Sequence, residues 1–177
     1  MNARTVAMSP EDHVSGSPSA PVMLLEYGDY QCPFCGRAQA EVERLRQALG
    51  SRLCLVFRHF PLTQAHPYAE QAAEAAEAAG AEGRFWEMHQ LLYENQDDLS
   101  LEALIEYAGM LDLDVDAFAS SVQEHRFHDK IRRDFMTGVR SGVNGTPTFF
   151  INGHRHDGAF SAEALLEAIS GSPLSAP

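Results

Sequence analysis

Long apolar runs are missing from this 177-residue sequence, and without about 18 consecutive apolar residues it has no candidate membrane-spanning helix. Positive charge is scarce too. Thirteen Lys and Arg against 25 Asp and Glu leave a formal net charge of −12, which argues against a phosphate-backbone partner and for solubility. Cysteine is rare: three residues do not make the disulfide framework of a small secreted domain, and a chain of this length buries a full core without such staples. No segment repeats. The first 20 residues hold Arg4 but no apolar leader segment, only a polar stretch rich in Ser, Pro and Gly. The expectation is a cytoplasmic protein with no nucleic-acid and no membrane partner, or an exported one if a leader had been removed.

Two of the three cysteines sit in one motif, Cys32-Pro33-Phe34-Cys35, where a strand-like run, Val22 to Tyr30, gives way to a helix-like segment, Arg37 to Leu49. Positions i and i+3 share one face of a first helical turn, so the two sulfurs lie close enough to bond, and the pair reads as a redox dithiol or half a metal site. The roles are unequal. Cys32, at the helix N-terminus, faces unpaired N–H groups and the positive end of the helix dipole, which stabilise a thiolate. Cys35, one turn deeper, is expected to be buried, which makes Cys32 the attacking nucleophile and Cys35 the resolving thiol. The third, Cys54, lies in the apolar run Leu53 to Phe57 and reads as a core residue.

Residues 1–20 read as a flexible N-terminal segment. Within the first strand Glu26 is out of place, either exposed at an edge or buried with a raised pKa. Beyond the dithiol, Ala38, Val42, Leu45 and Leu49 form the inward face of a helix that Gly50 closes, and Leu53 to Phe57 forms a strand ending before Pro61. Strand, helix, strand suggests a parallel pair with a crossover. From His66 to Gly142 the pattern is helical: one helix with Tyr68, Ala72, Ala75, Ala76 and Ala79 inward and Glu70, Glu74 and Glu77 outward, a second striped by Phe85, Met88, His89 and Leu92, then Leu101 to Met110 behind Ser100, a short one after Asp114, and a longer one marked by Phe127, Ile131, Phe135 and Val139. Thr146 to Ile151, a strand entered through Pro147, resumes the sheet, Asn152-Gly153 turns a hairpin into His154 to Asp157, and a helix capped by Ser161 precedes a Ser/Pro tail.

From about Pro21 to Ile169 the chain resembles the DsbA-like family of thioredoxin-fold thiol-disulfide oxidoreductases. The likeness rests on the Cys32–Cys35 dithiol, Glu26 six residues ahead of it, Phe85-Trp86-Glu87-Met88-His89 in a helical insert, and Gly145-Thr146-Pro147 before a late strand. It implies an α/β chain: a thioredoxin-like domain over 21–62 and 143–177, with an all-helical insertion over 63–142. It also implies a cis Thr146–Pro147 bond opposite the dithiol, which leaves the Thr146 backbone free to pair with an extended substrate, with Pro33 and Phe34 on the same binding face. In such proteins an acid at the place of Glu26 takes the proton of the second cysteine. One departure stands out. Phe34 occupies a position where the strongly oxidising members carry histidine, and a phenyl ring neither donates to a thiolate nor carries charge, so a moderate, less oxidising potential is expected.

The expected activity is therefore protein thiol-disulfide exchange, with no bound cofactor, glutathione as a small-thiol co-substrate, extended peptide or thiol substrates, a separate redox partner, and a monomeric chain. Two alternatives stand beside it. Zinc at Cys32 and Cys35 would need His59, His66 or the His154/His156 pair, in a spacing unlike that of zinc fingers or ribbons. The same scaffold also serves glutathione-dependent transferases or isomerases and chaperone-like peptide binders, although such transferases typically lack the intact dithiol.

Overall fold

The computed structural model describes residues 5–172. Residues 1–4 and the Ser/Pro tail from residue 173 onward lie outside that range. At the centre is β2 (Val22–Gly28), an almost wholly buried run, as expected of a strand covered on both faces. It pairs in parallel with β3 (Leu53–His59) and antiparallel with β4 (Thr148–Ile151). β5 (His154–His156) extends the β4 side, and Asn152 and Gly153, both at positive φ, make the expected tight turn.

The other edge differs from the expectation for residues 1–20. β1 (His13–Ser15) pairs antiparallel with β3, giving the order β1-β3-β2-β4-β5. The cause lies far along the chain: the Arg58 guanidinium donates to Asp12 at 2.7 and 2.8 Å and to the Ala7 carbonyl at 2.8 Å, pinning the segment to the sheet. Val6, buried, donates its N–H to Gly153 at 2.9 Å.

Helix α1 (Pro33–Leu49) starts with proline, whose fixed φ and missing N–H suit a first turn. Of its buried face, Ala38, Val42, Leu45 and Leu49 meet Val22, Leu24, Phe149 and Ile151 of the sheet and Leu165 and Ile169 of the last helix, α7 (Ala162–Gly171), while Cys35 packs in the cluster of Tyr30, Phe57 and the helical insertion. Five helices stand between β3 and β4: α2 (Ala69–Ala81), α3 (Phe85–Glu94), α4 (Leu101–Met110), α5 (Val115–Gln123) and α6 (His128–Arg140). α4, α5 and α7 carry the caps read from Ser100, Asp114 and Ser161, each accepting from a backbone N–H three residues on. α6 lies on the sheet face opposite α1, and Gly138 permits this approach: a Cβ there would come within 2.8 Å of the Phe60 ring and 3.0 Å of Tyr27.

Two outward assignments are corrected. Glu74 and Glu77 are buried, because α2 is packed on both sides and its small alanines let neighbouring helices close over the acids. Val139, expected in the core stripe of α6, is exposed, and so is Tyr68, expected on the inward face of α2 but standing at its N-cap, before the first helical turn. No helix among the described residues is long and apolar enough to cross a membrane.

Candidate active site

The loop from β2 to α1 is fixed by buried polar groups. Asp29 accepts from the backbone N–H groups of Gln31 and Leu62 at 2.8 and 2.9 Å and bonds the His66 ring at 2.8 Å. Gln96 reaches across from beyond α3 and donates to the carbonyls of Tyr30 and Cys32, both at 2.8 Å. Gly36 makes room for it, since an added Cβ would lie 2.1 Å from the Gln96 amide oxygen.

This loop sets Cys32 at the N-cap of α1 with no competing side-chain cap. Both motif cysteines are free thiols, Cys35 with no exposed surface and Cys32 at 3%. The Cys32 pKa falls from 9.0 to about 5. A hydrogen bond from the Cys35 thiol is the chief cause; burial opposes it, and Thr146 and the N–H groups of Cys35 and Phe34 add to it. Cys35 moves the other way. Burial is the main cause, helped by its bond to Cys32 and by the charges of Glu26 and Cys32. One thiol ionises readily and its neighbour holds its proton.

Thr146 and Pro147 lie opposite. Their peptide bond is cis, the Cys32 sulfur is 3.5 Å from the Thr146 carbonyl, and the buried Thr146 hydroxyl has no other partner. The outer rim is aromatic: Phe34 is 53% exposed, with the Arg37 guanidinium 4.5 Å above its ring. Nearby, the exposed Tyr68 donates its N–H to the Gln31 side chain at 2.7 Å.

Behind the dithiol is a cavity of about 700 Å³ between α1, α3 and the sheet. Glu26, centred in β2 between Phe57 and Phe149, reaches into it and is 6% exposed. Among the described residues no cation pairs with it. Burial pushes its pKa up to about 8; the Gln39 amide opposes that shift and the Cys32 charge adds to it. His89 and Tyr93 line the same space. Burial holds the His89 pKa down at about 3, so the ring is neutral, and the Tyr93 hydroxyl is buried without a partner.

A second buried cluster lies where β3 meets α2 and α6. Glu77 bonds the rings of His13 and His59 at 2.8 and 2.7 Å; Asp134 accepts from the His59 N–H at 3.2 Å and from the Lys130 ammonium at 2.6 Å. Burial alone would raise the Glu77 pKa, but the two imidazoles hold it well below the carboxylate range. The ligand-type atoms of His59, Glu77 and Asp134 lie within 4.8 Å of one another, and Lys130 supplies positive charge beside them.

The structure thus brings Cys32, Cys35, Glu26, Pro33, Phe34, Thr146 and Pro147 into one region. The histidines considered for zinc are engaged elsewhere: His59 with Glu77, His66 with Asp29, His156 with the Ala159 carbonyl, while His154 is exposed in β5. Cys54 is fully buried in β3. Asp29, Gln39, His89 and Tyr93 were not singled out by the sequence. Two carried a signal: Gln39 lies one turn after Cys35 and next to the buried face of α1, and His89 stands in the apolar stripe of α3 and in the motif that resembles the family's helical insert.

A central sheet with α1 on one face, a helical insertion before β4 and a dithiol at a helix N-terminus define a thioredoxin-like protein of DsbA-type architecture. The chain matches the family model described as Thioredoxin over residues 8–170 and belongs to that family. Among solved structures it is similar to oxidised BdbD from Bacillus subtilis, with a TM-score of 0.85 and 20% identity over 95% of this chain and 96% of that one. A thioredoxin-like oxidoreductase from Silicibacter pomeroyi aligns with a TM-score of 0.81 and 27% identity over 92% of each chain. By sequence the chain is 48% identical over 158 residues to the Na(+)/H(+) antiporter NhaA 3 of Salinispora tropica, covering 89% of this chain and 24% of that protein. The chain therefore spans about a quarter of the length of the curated relatives it matches.

Proposed function

We propose that this chain is a thiol-disulfide oxidoreductase that exchanges its Cys32–Cys35 pair with protein or small-thiol substrates, glutathione among them, and needs no bound cofactor. The observation that carries this reading is the placement of two free sulfurs, Cys32 at the N-cap of α1 and Cys35 fully buried beside it, an arrangement that draws the pKa of the first down and pushes that of the second up. In the reducing direction the Cys32 thiolate attacks one sulfur of a substrate disulfide, forming a mixed disulfide and releasing a substrate thiolate. Cys35 then gives its proton to Glu26 and attacks the Cys32 sulfur, closing the Cys32–Cys35 bond and releasing the second substrate thiolate. Two electrons pass to the substrate; the reverse sequence oxidises a dithiol.

Glu26 suits the proton step because it is unpaired, close to neutral in its titration and open to solvent protons through the cavity. The Thr146 backbone, with Pro147, Pro33 and the exposed Phe34 ring, is the proposed seat of an extended peptide. Resetting the dithiol falls to a separate redox partner. The antiporter name of the relatives is not carried over, since most of their length lies outside the match.

A Cys35→Ala variant tests this reading. It is expected to accumulate mixed disulfides through Cys32 that dithiothreitol releases; no such adducts, with peptide binding that survives loss of both cysteines, would favour a peptide binder instead.

A further inference from the structure

We propose that Gln39, oriented by His89, is the positioning residue for Glu26: its amide N–H holds the carboxyl beneath Cys35 and favours the carboxylate, the form that accepts the Cys35 proton. The inference rests on the exchange reading above. Gln39 donates to both Glu26 oxygens, at 3.3 and 3.5 Å, and its carbonyl oxygen accepts from His89 Nε2 at 3.2 Å. His89 Nδ1 in turn bonds the Tyr30 hydroxyl at 2.9 Å. A neutral imidazole has one donor and one acceptor, so with Nε2 donating to a carbonyl, Nδ1 must accept from Tyr30. The chain of bonds then has one direction, ending in an N–H aimed at Glu26. Without the His89 donor the amide could turn over and present its oxygen, which accepts from a neutral carboxyl and disfavours the carboxylate.

Every other titratable group facing Glu26 fails to favour its charge. Cys32 and Cys35 on α1 are themselves acids, Tyr30 and Tyr93 keep their protons, and His89 is neutral. At the rim Glu43 and Arg46 pair with each other, and Glu94 accepts from Gln90. Gln39 is the group that draws the Glu26 midpoint down.

The test is the pH profile of ring closure from a preformed Cys32–glutathione mixed disulfide. The wild-type midpoint is expected near 8. Gln39→Leu and His89→Phe should each move it upward by about half a unit, roughly a threefold loss of rate at neutral pH. His89→Gln, whose amide nitrogen can stand in for Nε2, should restore the wild-type profile. Alkylation of Cys32 should keep its own midpoint throughout. Gln39→Leu added to Glu26→Gln should slow closure no further. A Gln39→Leu profile superimposed on wild type, or a full additional loss on top of Glu26→Gln, overturns the inference while the exchange reading stands. Closure unaffected by Glu26→Gln removes Glu26 as the base and the inference with it.

Discussion

Two buried clusters of ionisable groups lie on this sheet and behave in opposite ways. Around Glu77 each carboxylate meets its complement, two imidazoles on one and an ammonium with a backbone N–H on the other, and the Glu77 pKa is held below the carboxylate range. Under the dithiol, Glu26 meets one amide and, among the described residues, no cation, and burial raises its pKa to about 8. Burial is common to both; pairing is what separates them. A compensated carboxylate fastens elements together, here β1, β3, α2 and α6, whereas an uncompensated one exchanges its proton in the physiological range and is available for chemistry.

The contrast breaks most visibly at Glu77. Glu77→Gln leaves two rings without their acceptor charge and is expected to cost about 3–5 kcal/mol in urea unfolding at neutral pH, with thiol exchange per folded molecule unchanged. Because the Glu77 pKa lies below its ordinary 4.5, its stabilisation is present above that value and fades as pH falls further. The deficit of the variant should therefore shrink in acid.

Glu26→Gln has the reverse sign. A carboxyl moved from 4.5 to about 8 contributes stability below pH 4.5 that is lost as pH rises through 8. The variant should be more stable than wild type at neutral pH, by on the order of 3 kcal/mol, while its Cys35 step slows by about a hundredfold. A variant that is destabilised instead would mean that Glu26 is paired as Glu77 is.

The smallest effect is set for Phe34→His. An imidazole beside the thiolate offers the donor that a phenyl ring lacks, and a tenfold change in the exchange equilibrium, about 30 mV toward the oxidising side, is expected in glutathione redox titration. An unchanged potential would show that Cys35 and the helix N-terminus set the thiolate alone.

The sequence made the dithiol legible because its logic is local: strand, proline, helix and an i, i+3 spacing lie within a few residues. The parallel pairing of β2 with β3, the β4–β5 hairpin and the helices between β3 and β4 followed from periodicity, turns and caps in the same way, whereas the antiparallel pairing of β4 with β2 joins strands far apart in sequence and had no local signal. Glu26 was not decidable from its neighbours, since an acid in an apolar strand reads equally as an edge residue, and only the family resemblance turned it inward. What stayed hidden depends on distant partners. β1 looked like a tail because Arg58, which holds it through Asp12, is 46 residues away in sequence. Glu74 and Glu77 looked solvent-facing because a helical repeat shows one apolar stripe and cannot show that a second layer covers the other side. His89 lay in the expected core stripe of α3, but its bond to Gln39 crosses from one helix to another and has no spacing to betray it.

The most direct measurement is the alkylation rate of Cys32 in the reduced protein as a function of pH. A thiolate stabilised by its buried neighbour gives a sigmoid with its midpoint near 5 and a flat rate through neutrality. A midpoint near 9, that of an ordinary thiol, would contradict the account.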